Sequence, residues 1–380
     1  MKRTQAAQTK TTLSEGILYM AMELSASRWM LGFGNEVRDR LVSVAAWDTA
    51  AFLREVSLAK AKLGLPAKAP VLSVQEAGRD GFSVHRFVES EGIESLVVDS
   101  SSIEVPRRAR RAKTDRADAH ALLRMLRRYA GGERKVWRVV RVPSEARETE
   151  RRLGRERERL TKERTSMTNR IRSILATQGI RYTSVIGSDF AERLQGFRRF
   201  DGTAMPTEVI EELLRAWERV SLIDSQRDAL EARRRDRIRK DSDASAMMAR
   251  RLTWLKGIGE TTGWTLAQEF FWRDFRNRRE VGSAAGLVPN PYQSGLMDRS
   301  SGINKAGSRR IRCLMVELAW RWLRWQPDSA LSRWFAERFG SAGGRMRRVG
   351  IVALARKLLV ELWRYLHFGT IPEGALIRSA

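Results

Sequence analysis

The stretch Arg107–Leu126, RRARRAKTDRADAHALLRML, joins a cluster of basic residues to two acids and an apolar run with helical spacing. Asp115 and Asp118 stand three residues apart, so a helix would present both carboxylates on one face. Carboxylates attract hard divalent cations, and the preceding basic residues attract phosphate. The pattern also fits an ordinary helix start, in which Thr114 caps the first turn and the acids favour the helix dipole. The stretch therefore predicts a helix and leaves the role of its acids open.

The composition limits the class of protein. A chain of 380 residues with 42% hydrophobic content suits two or three folded domains. A net charge of +26 indicates a polyanionic partner, with nucleic acid as the first candidate. No apolar run reaches the roughly 18 residues that a membrane-spanning helix needs, and the polar N-terminus does not resemble a secretory signal. We therefore expect a protein without membrane segments.

Cysteine and histidine are too scarce to build a soft-ligand metal site. The chain has one cysteine, Cys313, and three well-separated histidines, which excludes an internal disulfide framework and argues against structural zinc. Cys313 lies in an apolar helical run, so we expect its side chain to be buried. The single cysteine also fits a protein of the reducing cytoplasm. Any metal is expected to have oxygen ligands.

Strands alternate with helices in the first third of the chain, which predicts an α/β layer. Sites in such layers form at strand ends, where Glu23, Glu76, Asp115 and Asp118 could meet. Four oxygen ligands suit one or two Mg²⁺ (or Mn²⁺) ions in phosphodiester chemistry. Glu23 fits equally well as a solvent-facing residue on an alternating strand. The predicted strands are residues 17–24, 29–34, 71–75 and 96–99, and the predicted helices are residues 50–63 and a segment through 84–88.

Residues 143–245 are predicted to form a long helical, coiled-coil arm, which begins with a stretch, residues 147–175, that is dense in Arg and Glu. Leucine, methionine or isoleucine recurs every seven residues, which is a heptad seam. A second helical run ends at Lys240, and the stretch Asp241–Ala246 resembles a linker. The two helices are either an antiparallel pair or a dimerisation arm, and their basic excess favours nucleic-acid contact. The residues of the seam are Leu153, Leu160, Met167 and Ile174.

The last part of the chain, residues 246–380, is predicted to be mainly α-helical. Its stretch Leu255–Glu260, LKGIGE, resembles a helix-hairpin-helix turn, in which Gly257 and Gly259 would let the backbone approach a phosphate. The many tryptophans are expected to lie mostly in the core.

A turn at Tyr292–Gly295 is expected to expose the Ser294 hydroxyl among basic residues. A serine becomes a nucleophile when a base or a metal takes its proton and cations hold the phosphate. An ordinary turn serine is the alternative. The basic residues predicted to contact nucleic acid, here and before the Asp115 helix, are Arg110, Arg111, Lys113, Arg299, Lys305, Arg309 and Arg310.

Two signatures in this order resemble the IS110/IS1111 family of transposases. The first comprises Glu76-Ala-Gly-x-x-Gly-Phe, Val97-Val-Asp99 and Lys113-Thr-Asp-Arg-Ala-Asp118-Ala. The second comprises Gly-Leu-x-Pro, Ser-Gly and Gly-Ile-x-Lys-x-Gly-x-x-Arg-x-Arg within residues 286–312. The resemblance implies a RuvC-like, RNase H-like domain with a DEDD acid set, whose last three acids match Glu76, Asp115 and Asp118. Glu23 stands where the family usually has Asp, and Ser294 falls on the family's catalytic serine.

The resemblance implies a DNA recombinase that forms a phosphoserine link and acts on donor and target DNA under a structured guide (bridge) RNA. It also implies a bacterial, nucleoid-associated homo-oligomer, a dimer to a tetramer, with composite active sites and an arm used in assembly. Two other functions stay open: a metal-dependent, RuvC-like DNA nuclease in which Ser294 is structural, and an inactive nucleic-acid binder. The predicted organisation is a disordered lead (1–16), the DEDD domain (17–142), the helical arm (143–245) and a C-terminal domain with the serine (246–380).

Overall fold

The computed structural model describes residues 16–78, 82–104, 114–294 and 297–378, with the backbone alone at 292, 294 and 297–301. The chain forms two compact units, one up to Pro143 and one from Ser144 onward. Within the described residues, no helix is both long enough and apolar enough to cross a membrane. The predicted lead falls outside the described residues except for Gly16.

The first unit is built on a five-stranded sheet with the order β3-β2-β1-β4-β5. The strands β1, β2 and β3 form an antiparallel meander, whereas β4 and β5 run parallel to β1. The four predicted strands are confirmed. The third strand was not predicted, because its sequence DRLVSVA mixes polar and half-buried residues at an edge of the sheet. The bounds are β1 Leu18–Leu24, β2 Arg28–Gly34, β3 Asp39–Ala45, β4 Val71–Glu76 and β5 Glu94–Val98.

Side chains alternate across the sheet and create two separate cores. Along β1, Leu18, Met20 and Met22 face one core, while Tyr19 and Ala21 face the other. Two helices, α1 (Thr49–Lys62) and α2 (Ser83–Ser90), cover the first face, and α3 (Asp115–Ala130) covers the second. Odd-numbered residues of β1 therefore point toward α3.

The helix α3 begins where the sequence predicts it. The hydroxyl of Thr114 accepts a hydrogen bond from the amide of Ala117, and Asp115 and Asp118 occupy the first turn. Ala119, Leu123 and Leu126 are completely buried against the sheet. The apolar run after the acids is thus what attaches the helix to the sheet.

The second unit contains the predicted arm, a pair of long helices, α4 (Glu145–Thr177) and α6 (Thr207–Lys240), with the short α5 (Phe190–Gln195) between them. As residue numbers rise along α4, those of their ion-pair partners on α6 fall, so the two helices are antiparallel. Of the two arrangements left open by the sequence, the structure has the intrachain pair. The four ion pairs are Glu150–Arg237 at 3.2 Å, Arg157–Glu231 at 2.6 Å, Arg164–Asp224 at 2.7 Å and Arg170–Glu212 at 2.8 Å.

The remainder of the second unit is helical apart from one β-hairpin. Its core lies between α10 and α12, and α7 begins at Ala244, inside the stretch interpreted as a linker. A π-helical turn over Ala267–Phe271 follows α8 directly. The elements are α7 Ala244–Trp254, α8 Glu260–Leu266, α9 Arg278–Ala284, β6 Pro289–Ser294, β7 Met297–Ile303, α10 Arg309–Trp325, α11 Ala330–Phe339 and α12 Gly344–Phe368.

The prediction that Cys313 is buried was wrong, because Cys313 lies on the exposed side of α10. The helix buries Ile311, Met315, Leu318 and Trp322, which recur at three- and four-residue spacing. Cys313 lies two residues after Ile311, about 200° around a helix with 3.6 residues per turn. It therefore points away from the core stripe.

We predict that Leu123→Ala destabilises the first unit by about 2–5 kcal/mol, because it leaves a cavity in the completely buried contact between α3 and the sheet. Urea denaturation followed by circular dichroism measures the change. The matched control is Leu58→Ala on α1, a residue that is 45% exposed, for which about 0.5 kcal/mol or less is expected. Equal losses for the two variants would contradict the assigned core.

Candidate functional site

Two of the predicted acids lie at the same end of neighbouring parallel strands. Met22 pairs with Gln75 in the ladder between β1 and β4, so the next residues, Glu23 and Glu76, stand side by side on backbones roughly 4.8 Å apart. Glu23 follows the alternation of Tyr19 and Ala21, and Glu76 follows that of Val74, onto the face covered by α3. Both carboxylates are half-buried at this end of the sheet.

The first turn of α3 is directed toward this same end. A Cβ added to Gly32, which is opposite Ala21, would lie 3.4 Å from the carbonyl oxygen of Ala119. Eight residues later, the Arg127 side chain reaches Gly34, which is opposite Tyr19. The helix thus runs antiparallel to β1, and its start lies beyond Ala21 in the direction of Glu23.

Asp115 and Asp118 extend the sheet-facing side of α3 beyond its buried residues. Asp115 is four residues before the buried Ala119, and Asp118 is four residues before the buried Leu122. The fold therefore brings all four predicted acids to one end of the sheet and one of its faces.

The donor set has the chemistry of a hard-cation site. Among the described residues, however, no three Asp, Glu, His or Cys side chains are grouped tightly enough to hold an ion by themselves. Mg²⁺ is commonly held by one or two carboxylates, with substrate phosphates and waters completing the octahedron. The four acids fit that mode of binding, in which the nucleic acid supplies part of the coordination.

Ser294 is the last residue of β6 and pairs with Met297 of β7. The prediction of a turn at Tyr292–Gly295 was wrong in its bounds, because Tyr292 and Gln293 belong to the strand, paired with Arg299 and Asp298. The mainly helical C-terminal part thus presents this serine at the far end of a β-hairpin.

Two glycines from the second signature meet at the base of the hairpin. Gly286 adopts a φ of +66°, and a Cβ at Gly307 would lie 2.6 Å from the carbonyl oxygen of Ala284. The Ser308 amide donates to that same carbonyl at 2.9 Å, and the Asn304 amide donates to Val288 at 2.8 Å. The segments before β6 and after β7 are therefore in backbone contact that only glycine permits.

The predicted nucleic-acid contacts fall into three groups. Arg110, Arg111 and Lys113 lie outside the described residues, as does the side chain of Arg299. Lys305 and Arg309 are exposed beside the hairpin base. Arg310 instead forms ion pairs with Glu269 at 2.8 Å and Glu158 at 3.1 Å, so acids of the chain already compensate much of its charge.

Glu269 is the centre of an arginine cluster that sequence reasoning missed. Its side chain is only 11% exposed and accepts from Arg155 at 3.0 Å as well as from Arg310. The hydrogen bond to Glu269 raises the pKa of Arg155, whereas burial lowers the pKa of the neighbouring Arg151. The π-helical turn carries this glutamate, and such turns often occur at functional sites. The cluster connects α4 to the start of α10, next to the hairpin.

The predicted helix-hairpin-helix turn lies between α7 and α8. Gly257 adopts a φ of +94°, and a Cβ there would lie 3.0 Å from Cβ of Trp325. Gly259 precedes the first residue of α8. Lys256 stands 5.9 Å from the ring of Trp325, which is 44% exposed. Trp325 and the 49%-exposed Trp254 depart from the core role expected for most tryptophans.

Comparison with known proteins agrees with both halves of this description. A family model described as Transposase IS116/IS110/IS902 family matches residues 249–333, and a DEDD model of the IS110 type, described as a transposase, matches residues 38–178. The predicted transposase y4rJ of Sinorhizobium fredii is 39% identical over 388 residues, covering 98% of each chain. The transposase for insertion sequence element IS1328 of Yersinia enterocolitica is 27% identical over 222 residues, covering 58% of this chain and 63% of that one.

The matches to transposase families and to proteins named as transposases show that this chain is a DNA transposase. The chain belongs to the IS116/IS110/IS902 family of transposases, and its DEDD domain match covers most of the first unit and the helix α4. A domain of this kind indicates dependence on a divalent metal.

We predict that Gly307→Ala destabilises the second unit by about 1–3 kcal/mol, because the added methyl group overlaps the backbone of residues 284–286 at the hairpin base. Thermal unfolding of the full chain measures it. Gly344→Ala is the matched control: nothing lies within 4 Å of a Cβ there, at the first residue of α12. It should be neutral or stabilising by up to about 1 kcal/mol. A neutral Gly307→Ala would contradict the close backbone contact.

Proposed function

We propose that this transposase cuts and rejoins DNA through a phosphoserine intermediate, with a RuvC-like metal site in its first unit. The observation that carries the proposal is the convergence of Glu23, Glu76, Asp115 and Asp118 at one end of the sheet on the α3 face. The strand order and the match to the DEDD model support the RuvC-like assignment.

A bound Mg²⁺ or Mn²⁺ ion would supply Lewis-acid stabilisation of charge on the phosphoryl oxygens. Glu76 and Asp118 would hold it together with Asp115 and Glu23. Glu23 is one methylene longer than the Asp usual at its position, so its carboxylate reaches further from β1. The two strands and α3 fix the backbones that carry these acids, which limits the reorganisation required when the substrate binds.

Ser294 is proposed as the nucleophile. Its Oγ forms a bond to phosphorus while one ester oxygen of the DNA leaves as a hydroxyl, taking up the proton that the serine loses. The number of phosphoester bonds is unchanged, so the DNA can be rejoined without another source of energy. Lys305 and Arg309 are the exposed cations beside the hairpin that would attract the scissile phosphate.

A structured guide RNA and assembly into a dimer or tetramer complete the proposal. A net charge of +26 is suited to carrying RNA as well as donor and target DNA. Family resemblance is what favours an RNA guide, because charge alone does not distinguish RNA from DNA. Light scattering of the protein with and without RNA transcribed from the flank of the element measures the mass of the complex. It therefore tests both RNA binding and the oligomeric state.

We predict that Ser294→Ala abolishes the covalent DNA–protein adduct and lowers strand joining by on the order of 10³-fold or more, as expected when a nucleophile is removed. Adduct formation on labelled DNA, resolved under denaturing conditions, is the measurement. Ser300→Ala on the same hairpin is the control and should retain the adduct. Full cleavage by Ser294→Ala without an adduct would favour the alternative, a metal-dependent nuclease.

We predict that Glu76→Gln lowers Mg²⁺-dependent strand cleavage by on the order of 10²-fold or more, since a metal contributes several kcal/mol of charge stabilisation. Rates are measured over a Mg²⁺ titration, with Glu91→Gln, an exposed residue after α2, as the control. Glu23→Asp tests the departure from the family. A large gain in the cleavage rate would identify Glu23 as a lesion, whereas an unchanged rate would identify it as a tolerated ligand. Wild-type cleavage by Glu76→Gln would rule out this acidic site.

A further inference from the structure

The second unit contains a groove of about 1510 Å³ between α9, the base of the β6–β7 hairpin, α11 and α12. Its lining includes seven basic residues and one acidic residue, Glu361. The sequence marks Gly340–Arg348 as a basic loop, but none of these basic residues was predicted to contact nucleic acid, because they are spread over two helices more than 60 residues apart. Three of them are Arg278 and Arg345, at the starts of α9 and α12, and Arg356, midway along α12.

The positive charge of the groove is largely uncompensated. Glu361, the one acid, accepts from Arg364 at 2.8 Å. Arg278, Arg345 and Arg356 form no ion pair with any described residue. This differs from Arg310, whose guanidinium is held by two glutamates.

Two of these arginines also occupy unfavourable helix positions. Arg278 and Arg345 lie in the first turns of α9 and α12, where the helix dipole disfavours cations. The first turn of α12 contains no acid. In α9 the first-turn acid, Glu280, pairs with Arg276 instead of Arg278. An anionic ligand in the groove would compensate both arginines.

The groove also has an apolar floor, which a simple counterion would not use. Val349 is 52% exposed and Met346 is 53% exposed, and Val352 and Ile303 continue the surface. A ligand with alternating anionic and apolar parts fits this surface. The sugar-phosphate backbone of a nucleic acid has that alternation, and cationic grooves that follow a backbone are how single strands are held.

The groove is continuous with the hairpin that carries Ser294. Pro289 at the start of β6 and Ile303 at the end of β7 are part of its lining. Ser294 lies five residues beyond Pro289, roughly 17 Å along a strand. For a strand with duplex geometry, which rises about 3.4 Å per nucleotide, that distance equals about five nucleotides.

We propose that this groove binds the backbone of the DNA strand that Ser294 attacks, about five nucleotides from the scissile phosphate. The proposal rests on the proposed role of Ser294 and adds a second, non-catalytic contact to the same strand. The groove positions the strand, and the hairpin carries the nucleophile.

The test compares salt dependence of DNA binding in the full chain. The triple variant Arg278→Gln, Arg345→Gln and Arg356→Gln should bind DNA more weakly, with a slope of log K against log salt reduced by about 2 on single strands and about 3 on duplex. The control removes three exposed cations of the first unit that are not part of the groove lining, Arg54→Gln, Lys62→Gln and Lys68→Gln. Its slope should stay near that of the unchanged chain. Thermal unfolding checks that both variants are folded.

A photoreactive phenylalanine derivative at Val349 locates the strand. In the Ser294→Ala background it should cross-link to DNA about five nucleotides from the scissile phosphate. Equal slopes for the two triple variants, or cross-links and affinity losses confined to RNA, would overturn the proposal. Failure of the serine mechanism is detected separately, because the chain with unchanged groove residues would then form no covalent DNA adduct. That outcome would not alter the salt slopes of the groove variant.

Discussion

The close contact between α3 and the sheet is the constraint on which the proposed acidic site depends. Gly32 has no side chain at the point where the carbonyl of Ala119 approaches β2. Small residues on both surfaces let the helix lie flat on the strands, and the buried leucines that follow hold it there. Because the helix runs antiparallel to β1, its first turn necessarily lies at the end of the sheet where β1 and β4 finish. Acids of three distant segments thereby lie toward the same end of the sheet.

In the second unit, charge serves two purposes that the sequence alone does not separate. Arginines of the arm, such as Arg157 and Arg164, are paired with acids of the opposite helix and fix its antiparallel register. Exposed pairs of this kind contribute little stability individually, yet a row of them favours one register over others. Arg278, Arg345 and Arg356 of the groove, in contrast, form no ion pair with any described residue. The unpaired arginines of the groove are the ones we propose for nucleic-acid contact.

Glycine explains why the second signature has its form. Gly286 and Gly307 lie on opposite sides of the hairpin, and their backbones are in contact at its base. Arg312 reinforces this contact by donating to the carbonyl of Ala285 at 3.3 Å. Residues that look like parts of a binding motif in the sequence thus include several that hold the hairpin in place. The base of the hairpin thereby fixes the backbone that leads to Ser294, the proposed nucleophile.

By itself, the sequence determined the elements and the chemistry. Alternating strands, the capped helix at Asp115 and the two long arm helices follow from local periodicity and capping, which depend on near neighbours in the chain. The candidate acids and Ser294 were also accessible, through residue type and family resemblance. Three features could not be predicted from the sequence, because each depends on what packs against it. They are the edge strand β3, the exposure of Cys313 and the strand around Tyr292. The tertiary structure alone decided that α4 pairs with α6 of the same chain, that Arg310 belongs to an internal ion cluster, and that Arg278 and Arg356 share a groove. Those outcomes depend on contacts between residues far apart in sequence, and no local pattern encodes which partner a charge will find.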